Sequence, residues 1–364
     1  MRTYYLLFLF EMVLYAIVVW IGIGTKKDLE EHQRKEARKT KFLIISFIPI
    51  VLLTAFRSKD VGYDTIQYLG HFERVREGME TEMDISHFEI GYRYFVKLIA
   101  HFTHSNVIFL SIMAVITNIP IALMIAKCSK DYFLSVILYI AIGNFTFQLT
   151  AIRQSIALSI LTVAVYFALN RKLIWFLLCI FVASLFHRSA LLFAPVYLLG
   201  NEVINRKTLF LLSISALIIA FSDAIFTRIG MKLQYDGYIG AEGVKGFSGW
   251  TNVIIMALTI LLYLVNKYWN PEAFSKSDQF FFTMLVFALA LYAIRYQNRI
   301  AERVSLYYRM ALIILLPNSI DGTKNFSIRN VIAMACTVLA ILLFIYWTIN
   351  SPYSYTPFWK YTVL

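Results

Sequence analysis

The sequence predicts an all-α integral membrane protein, a polytopic bundle of about 12 transmembrane helices with one re-entrant or interfacial helix. Three observations predict it. Of 364 residues, 59% are hydrophobic and only 15% are charged, against about 25% in ordinary soluble domains. The apolar residues gather in runs such as 108–126, 254–265 with its flanks and 331–349, each approaching the ~20 residues that cross a bilayer as a helix. Short segments carrying Lys or Arg separate the runs, the pattern that orients a chain in a membrane. One membrane domain, 1–364, accounts for the whole chain, with outer segments 57–106 and 227–249 and no soluble domain attached.

Candidate spans are 4–23, 42–56, 107–126, 132–149, 152–169, 173–187, 190–201, 208–226, 250–267, 279–297, 304–320 and 328–349. The first is too long for a signal-peptide core and lacks a small-x-small cleavage site, so it reads as an uncleaved span. Segment 24–41 holds Lys26, Lys27, Arg34, Lys35, Arg38, Lys39 and Lys41, which places it in the cytoplasm. The N- and C-termini then lie outside. Loops 127–131, 170–172, 202–207, 268–278 and 321–329 fall inside, each with Lys or Arg. This alternation holds if Glu89–Phe102, short and carrying Arg93 and Lys97, lies at the interface or re-enters without crossing.

The two basic residue types divide unequally under this topology. The inner side carries 12 Lys and 5 Arg, the outer side 12 Arg and 5 Lys. Orientation needs only positive charge, whereas arginine is favoured where phosphate or carboxylate is gripped by a planar fork. The outer face therefore reads as a site for an anionic group, with interfacial snorkelling as the plainer alternative. The net charge of +12 does not indicate nucleic acid, since no soluble basic domain carries it.

Segment 173–202 is too short for two full crossings, which need about 40 residues. It reads as two short or broken helices joined at His187-Arg188-Ser189, dipping into the membrane, where polar residues usually line a cavity.

Five clusters could carry chemistry. Arg57 and Asp64, with Gly62 between them and Tyr68 beyond, follow the second span; a carboxylate there could take a proton from a sugar hydroxyl or simply cap an interfacial turn. Glu89 opens the interfacial helix ahead of Tyr92, as a second site carboxylate or as a complement to the helix dipole. Arg153-Gln154 stands at the outer start of span 152–169, where an arginine needs an anion or an acid partner. His187 and Ser189 sit at the helix break, and an imidazole there can exchange protons near neutral pH or be a satisfied structural group. Arg295, Arg299, Glu302, Arg303 and Arg309 run from one span into the next, either as an anion clamp or as an ion-pair ladder.

Loop 227–249 holds six of the 15 glycines, five at every third position from Gly237 to Gly249. It reads as a flexible lid whose Tyr235, Tyr238, Phe247 and Trp250 stack on sugar rings, or as an interface belt of aromatics. Cys128, Cys179 and Cys336 are scattered without metal or disulfide spacing. There is no Walker motif, dinucleotide fingerprint, H-E-x-x-H or paired-acid metal motif, so no cofactor and no metal is expected.

Taken in order, Phe56-Arg57…Gly62-x-Asp64-x-x-x-Tyr68, Glu89-x-Gly91-Tyr92, Arg153-Gln154-x-x-Ala157 and Phe186-His187-x-Ser189-Ala190-Leu191 resemble the EpsG family, a branch of the Wzy-type polysaccharide polymerases. The resemblance is clearest over 55–200. It implies a GT-C-like fold and an inverting, metal-independent glycosyltransferase in the bacterial cytoplasmic membrane. Its substrates would be undecaprenyl-diphosphate-linked oligosaccharide repeat units, with membrane lipid around it and a partner that limits chain length. On that reading Asp64, Glu89 and His187 are the catalytic candidates, Asp64 or Glu89 as base or acceptor positioner. Arg57, Arg153, Arg295, Arg299 and Arg303 hold diphosphate, and Tyr68, Tyr92, Gln154 and Ser189 line the substrate site. An O-antigen ligase-like transferase, a lipid-linked sugar transporter or flippase, and a membrane acyltransferase are the rivals.

Overall fold

The structure, a computed structural model, describes residues 2–18, 31–198, 247–293, 299–349 and 355–360. The described residues form helices and connecting turns, with one isolated bridge between Arg57 and Pro357. The helices are α1 (Arg2–Ala16), α2 (Glu31–Ala55), α3 (Thr65–Arg76), α4 (Glu82–His87), α5 (Ile90–Phe102), α6 (Asn106–Cys128), α7 (Tyr132–Ala141), α8 (Asn144–Thr150), α9 (Ile152–Leu169) and α10 (Leu173–Phe186). A 3₁₀ segment, Arg188–Leu198, follows, and then α11 (Phe247–Trp269), α12 (Lys276–Ala293), α13 (Arg299–Arg309), α14 (Leu312–Asp321) and α15 (Phe326–Ile349).

Four described helices, α6, α9, α11 and α15, are long and apolar enough to cross a membrane; α7 and α8 make a fifth if their bent pair is one span. The 46° bend between them falls at Gly143, whose φ of +86° ends α7 in a left-handed turn, a conformation glycine adopts without steric cost. Span 208–226 and loop residues 227–246 lie outside the described residues. Phe247–Gly249 belong to α11 rather than to that loop.

Two other elements differ in extent from the sequence reading. The basic segment before the second span is helical from Glu31 onward, continuous with α2, because Arg, Lys, Glu and Gln are good helix formers and propagate a helix already nucleated in the apolar stretch. Span 304–320 is divided between α13 and α14 at Met310-Ala311. Residues Leu312–Ile320 of α14 are all buried, as expected of a helix apolar on every side and enclosed by neighbours. One large apolar core runs through α1, α2 and α6–α15, and a smaller one joins α3, α5, α6 and α9.

The bundle has two chemically distinct ends. At one end Lys39 donates to the Ser129 carbonyl (3.2 Å). There too Asn318 donates to buried Asp278 (2.6 Å) and to the Cys128 carbonyl (2.8 Å), with Lys130 3.7 Å from Asp278. At the other end the chain after α2 meets the C-terminal segment: Ser58 N–H donates to the Thr356 carbonyl (2.8 Å) and Phe358 N–H to that of Phe56 (3.0 Å).

The segment 173–198 is a hairpin with both feet at the lysine-rich end. Arg171 Nη1 donates to the Tyr197 carbonyl and Tyr197 OH donates back to the Arg171 carbonyl, both at 2.9 Å. Fourteen α-helical residues rise about 21 Å. Eleven 3₁₀ residues cover about 22 Å because their rise is steeper. Unequal lengths of chain therefore match, and both stop short of the ~30 Å hydrocarbon thickness. His187 is the tip.

α5 has three faces. Tyr92, Val96 and Ile99 are buried against α3. Arg93 and Lys97 pair with Glu80 at 3.2 and 2.6 Å. Ile90, Tyr94, Leu98 and Phe102 form an exposed apolar stripe. At 13 residues it rises about 20 Å, too little to cross, and three such faces suit a helix lying in the interface.

Candidate active site

The site assembles where α9, the tip of the 173–198 hairpin and the start of α5 meet. Glu89 occupies the N-cap position of α5 but makes no side-chain cap bond. Its carboxylate turns inward instead. Oε2 lies 2.5 Å from Arg153 Nη1, and Oε1 lies 3.4 Å from His187 Nδ1 and 3.5 Å from the Arg188 N–H. Glu89 and His187 are 8% and 3% exposed. Burial pushes the Glu89 carboxyl up, but the His187 hydrogen bond and the Arg153 charge pull it down more strongly, to about 2. Glu89 therefore stands ionised at neutral pH, opposite the Arg153 guanidinium.

Arg153 is held along one edge. Nη1 donates to Glu89 and to the His87 carbonyl (2.9 Å), and Nε reaches the Tyr68 hydroxyl at 3.5 Å. Its guanidinium lies over the Phe88 ring, 4.9 Å from the centroid, and 5.9 Å from that of Tyr68. Nη2 has one contact among the described residues, His87 Nε2 at 3.5 Å. The fork is anchored on one side and lightly held on the other.

Two glycines permit this convergence. Gly91 sits so close to α10 that a Cβ there would lie 2.5 Å from Leu185 Cβ. Gly62, at φ +92°, presses on the end of α8, where a Cβ would fall 1.8 Å from the Leu149 carbonyl oxygen. Thr65 Oγ1 donates to that same carbonyl (3.0 Å). The turn sets Asp64 at the start of α3, half-buried and making no side-chain cap bond, near enough to Tyr68 and His87 to act electrostatically on both.

The remaining expected residues fall around this centre. Tyr68 is buried beneath Arg153, with Tyr92 5.7 Å away edge-on. Tyr92 is fully buried and its hydroxyl meets no partner among the described residues. Gln154 donates to the Arg303 carbonyl (2.8 Å) and Ser189 Oγ lies 2.8 Å from the Tyr307 hydroxyl, so α13 closes over the top of α9 and the hairpin. Arg303 is an electrostatic neighbour of His187. Arg295 and the Arg299 side chain lie outside the described residues. Arg57 is 1% exposed beneath the C-terminal segment; Nη1 donates to the Thr54 carbonyl, while Nε and Nη2 meet no partner among the described residues. A cavity of about 390 Å³ lies on the far side of Gly62, walled by Tyr4, Val61, Thr146, Phe147 and Phe344.

His87 and Phe88 lie at this centre although the motifs did not include them. His87-Phe88 directly precedes Glu89, so a titratable ring two residues before a motif carboxylate was the available signal. Among the described residues no group of three His, Cys, Asp or Glu is arranged to hold a metal ion.

With the geometry in hand, the comparison with known families is decisive for identity. The EpsG family model matches residues 40–363. The chain belongs to the EpsG family. No curated protein and no solved structure matches it. Family membership makes it a polysaccharide polymerase-type membrane protein, and within the EpsG frame the motifs around Asp64, Glu89, Arg153 and His187 meet in one place.

Proposed function

We propose that this EpsG-family chain is a polysaccharide polymerase. It joins undecaprenyl-diphosphate-linked oligosaccharide repeat units on the outer face of the bacterial cytoplasmic membrane, by an inverting transfer that requires no metal. The growing glycan leaves its lipid diphosphate and passes to the terminal sugar of the next unit.

The single observation that carries this reading is the half-held Arg153. Its Nη1 edge is fixed by Glu89 and the His87 carbonyl, while Nη2 has one 3.5 Å contact among the described residues. A diphosphate leaving group gathers negative charge in the transition state, and a preorganised guanidinium in a partly buried site stabilises it. Glu89 positions Arg153, and His187 braces Glu89 from the hairpin tip. Asp64, half-buried at the rim, positions the acceptor hydroxyl. Arg303 adds positive charge for the diphosphate, the role the sequence also suggests for Arg295 and Arg299, and Tyr68, Gln154 and Ser189 shape the pocket.

The same reading takes the bundle as one GT-C-like domain of about 12 spans, with both termini outside and a separate partner limiting chain length. Binding tests it without turnover. Undecaprenyl diphosphate should raise the melting temperature of the detergent-purified wild type and leave that of Arg153→Lys nearly unmoved. Equal shifts in both proteins would remove Arg153 from the binding site.

A further inference from the structure

The reaction proposed above needs a group that takes the proton of the acceptor hydroxyl, and the buried residues of the site are poorly placed to do so. Glu89 is committed to Arg153 and His187. His187 is itself buried against Glu89 at the tip of the hairpin. His87 differs from both. It ends α4, its side chain is exposed, and its ring lies on the open edge of Arg153.

A guanidinium has only donors, so the Nε2 atom that faces Arg153 Nη2 at 3.5 Å accepts, which puts the ring proton on Nδ1. The charged groups that act on His87 come from four elements: Arg153 of α9, Glu89 at the start of α5, Asp64 at the start of α3 and Asp84 of α4 itself. Partial burial and the Arg153 charge hold the imidazole below its ordinary value, so it is neutral and able to accept a proton at neutral pH.

We propose that His87 is the catalytic base of the transfer, an assignment that rests on the polymerase reading. A diphosphate that takes Arg153 Nη2 releases Nε2 of His87. The acceptor oxygen then bonds to the anomeric carbon of the donor, its proton passes to Nε2, and the bond from that carbon to the diphosphate oxygen breaks with its electron pair leaving on the diphosphate. Donor binding thereby frees the base, and Asp64 stabilises the imidazolium that forms. The imidazolium returns its proton to water as the lipid diphosphate departs.

The test is chain extension by purified protein on a synthetic undecaprenyl-diphosphate-linked repeat unit, for wild type, His87→Gln and His87→Ala. His87→Gln should lose about 100-fold or more in kcat with KM nearly unchanged. The wild-type rate should climb with pH as the imidazole gives up its proton, and that ascending limb should vanish in the variant. Added imidazole should restore part of the activity of His87→Ala. His87→Gln within about threefold of wild type overturns the assignment, as does a slower variant that keeps the ascending limb, and either leaves the polymerase reading standing. A wild type that extends no glycan overturns both.

Discussion

Gly91 of α5 and Leu185 of α10 approach so closely that a Cβ at position 91 would meet Leu185 Cβ at 2.5 Å and the Leu185 carbonyl oxygen at 2.7 Å. The contact lies two residues from Glu89 and two from His187, and it sets the distance across which those side chains meet. Gly91→Ala should push α5 off the hairpin and lengthen the 3.4 Å Glu89–His187 contact. A displacement near 1 Å at a catalytic group commonly costs about 100-fold in rate. Kinetics on a variant that still purifies as a monodisperse protein checks this.

Arg153→Lys keeps a positive charge opposite Glu89 but loses the planar fork. The buried carboxylate retains a partner, so the melting temperature should change little. Chain extension should fall about 100-fold or more, the usual cost of removing one preorganised oxyanion donor. Full activity in this variant would end the diphosphate-clamp role.

Glu89 gives the fold an acid sensitivity. Its carboxyl sits at about 2 in the folded protein against 4.5 for an ordinary glutamate. A depressed carboxylate stabilises the folded state above its ordinary value, and that contribution is lost as pH falls from about 4.5 toward 2. Linkage makes it about 3 kcal/mol. Thermal melts across that range should show the loss in wild type and a shallower one in Glu89→Gln, which should already be destabilised at pH 7 because Arg153 is left buried without its counter-charge.

Asp64→Asn separates positioning from folding. The substitution removes the charge at the start of α3 and keeps the side chain's size, and a helix-dipole charge there is worth up to about 1 kcal/mol, which thermal melts measure. Chain extension should nevertheless drop about tenfold or more, through lost acceptor positioning and lost stabilisation of a nearby imidazolium. Unchanged turnover would remove Asp64 from the acceptor side.

Much of this architecture is written in local sequence. The short apolar stretch around Arg93 and Lys97 foretells a short helix, and α5 has 13 residues. The crowding of 173–202 foretells a break at His187. Glu89, Arg153 and His187 each stand out in the sequence as polar residues beside apolar runs, each with a structural reading beside the functional one. Their mutual contact was not visible, because it depends on the glycine-permitted approach of α5 to α10, a relation between elements about 100 residues apart. Arg57 shows the same limit. Its charge makes it a site candidate in the sequence, yet it is covered by the C-terminal segment through bonds to Thr356 and Phe358 made by its neighbours Ser58 and Phe56, which no local pattern announces. His87 lacked a pattern of its own, and only its place on the open edge of Arg153 distinguishes it.

The account stands most directly on turnover in a defined system. Purified protein is given undecaprenyl-diphosphate-linked repeat units as sole substrate, with EDTA present and no nucleotide, and the products are separated on a gel. The account predicts a ladder of longer glycans from wild type and none from Arg153→Lys. Movement of the intact substrate across a liposome membrane without any ladder would contradict it and make the arginine-lined face a transport vestibule.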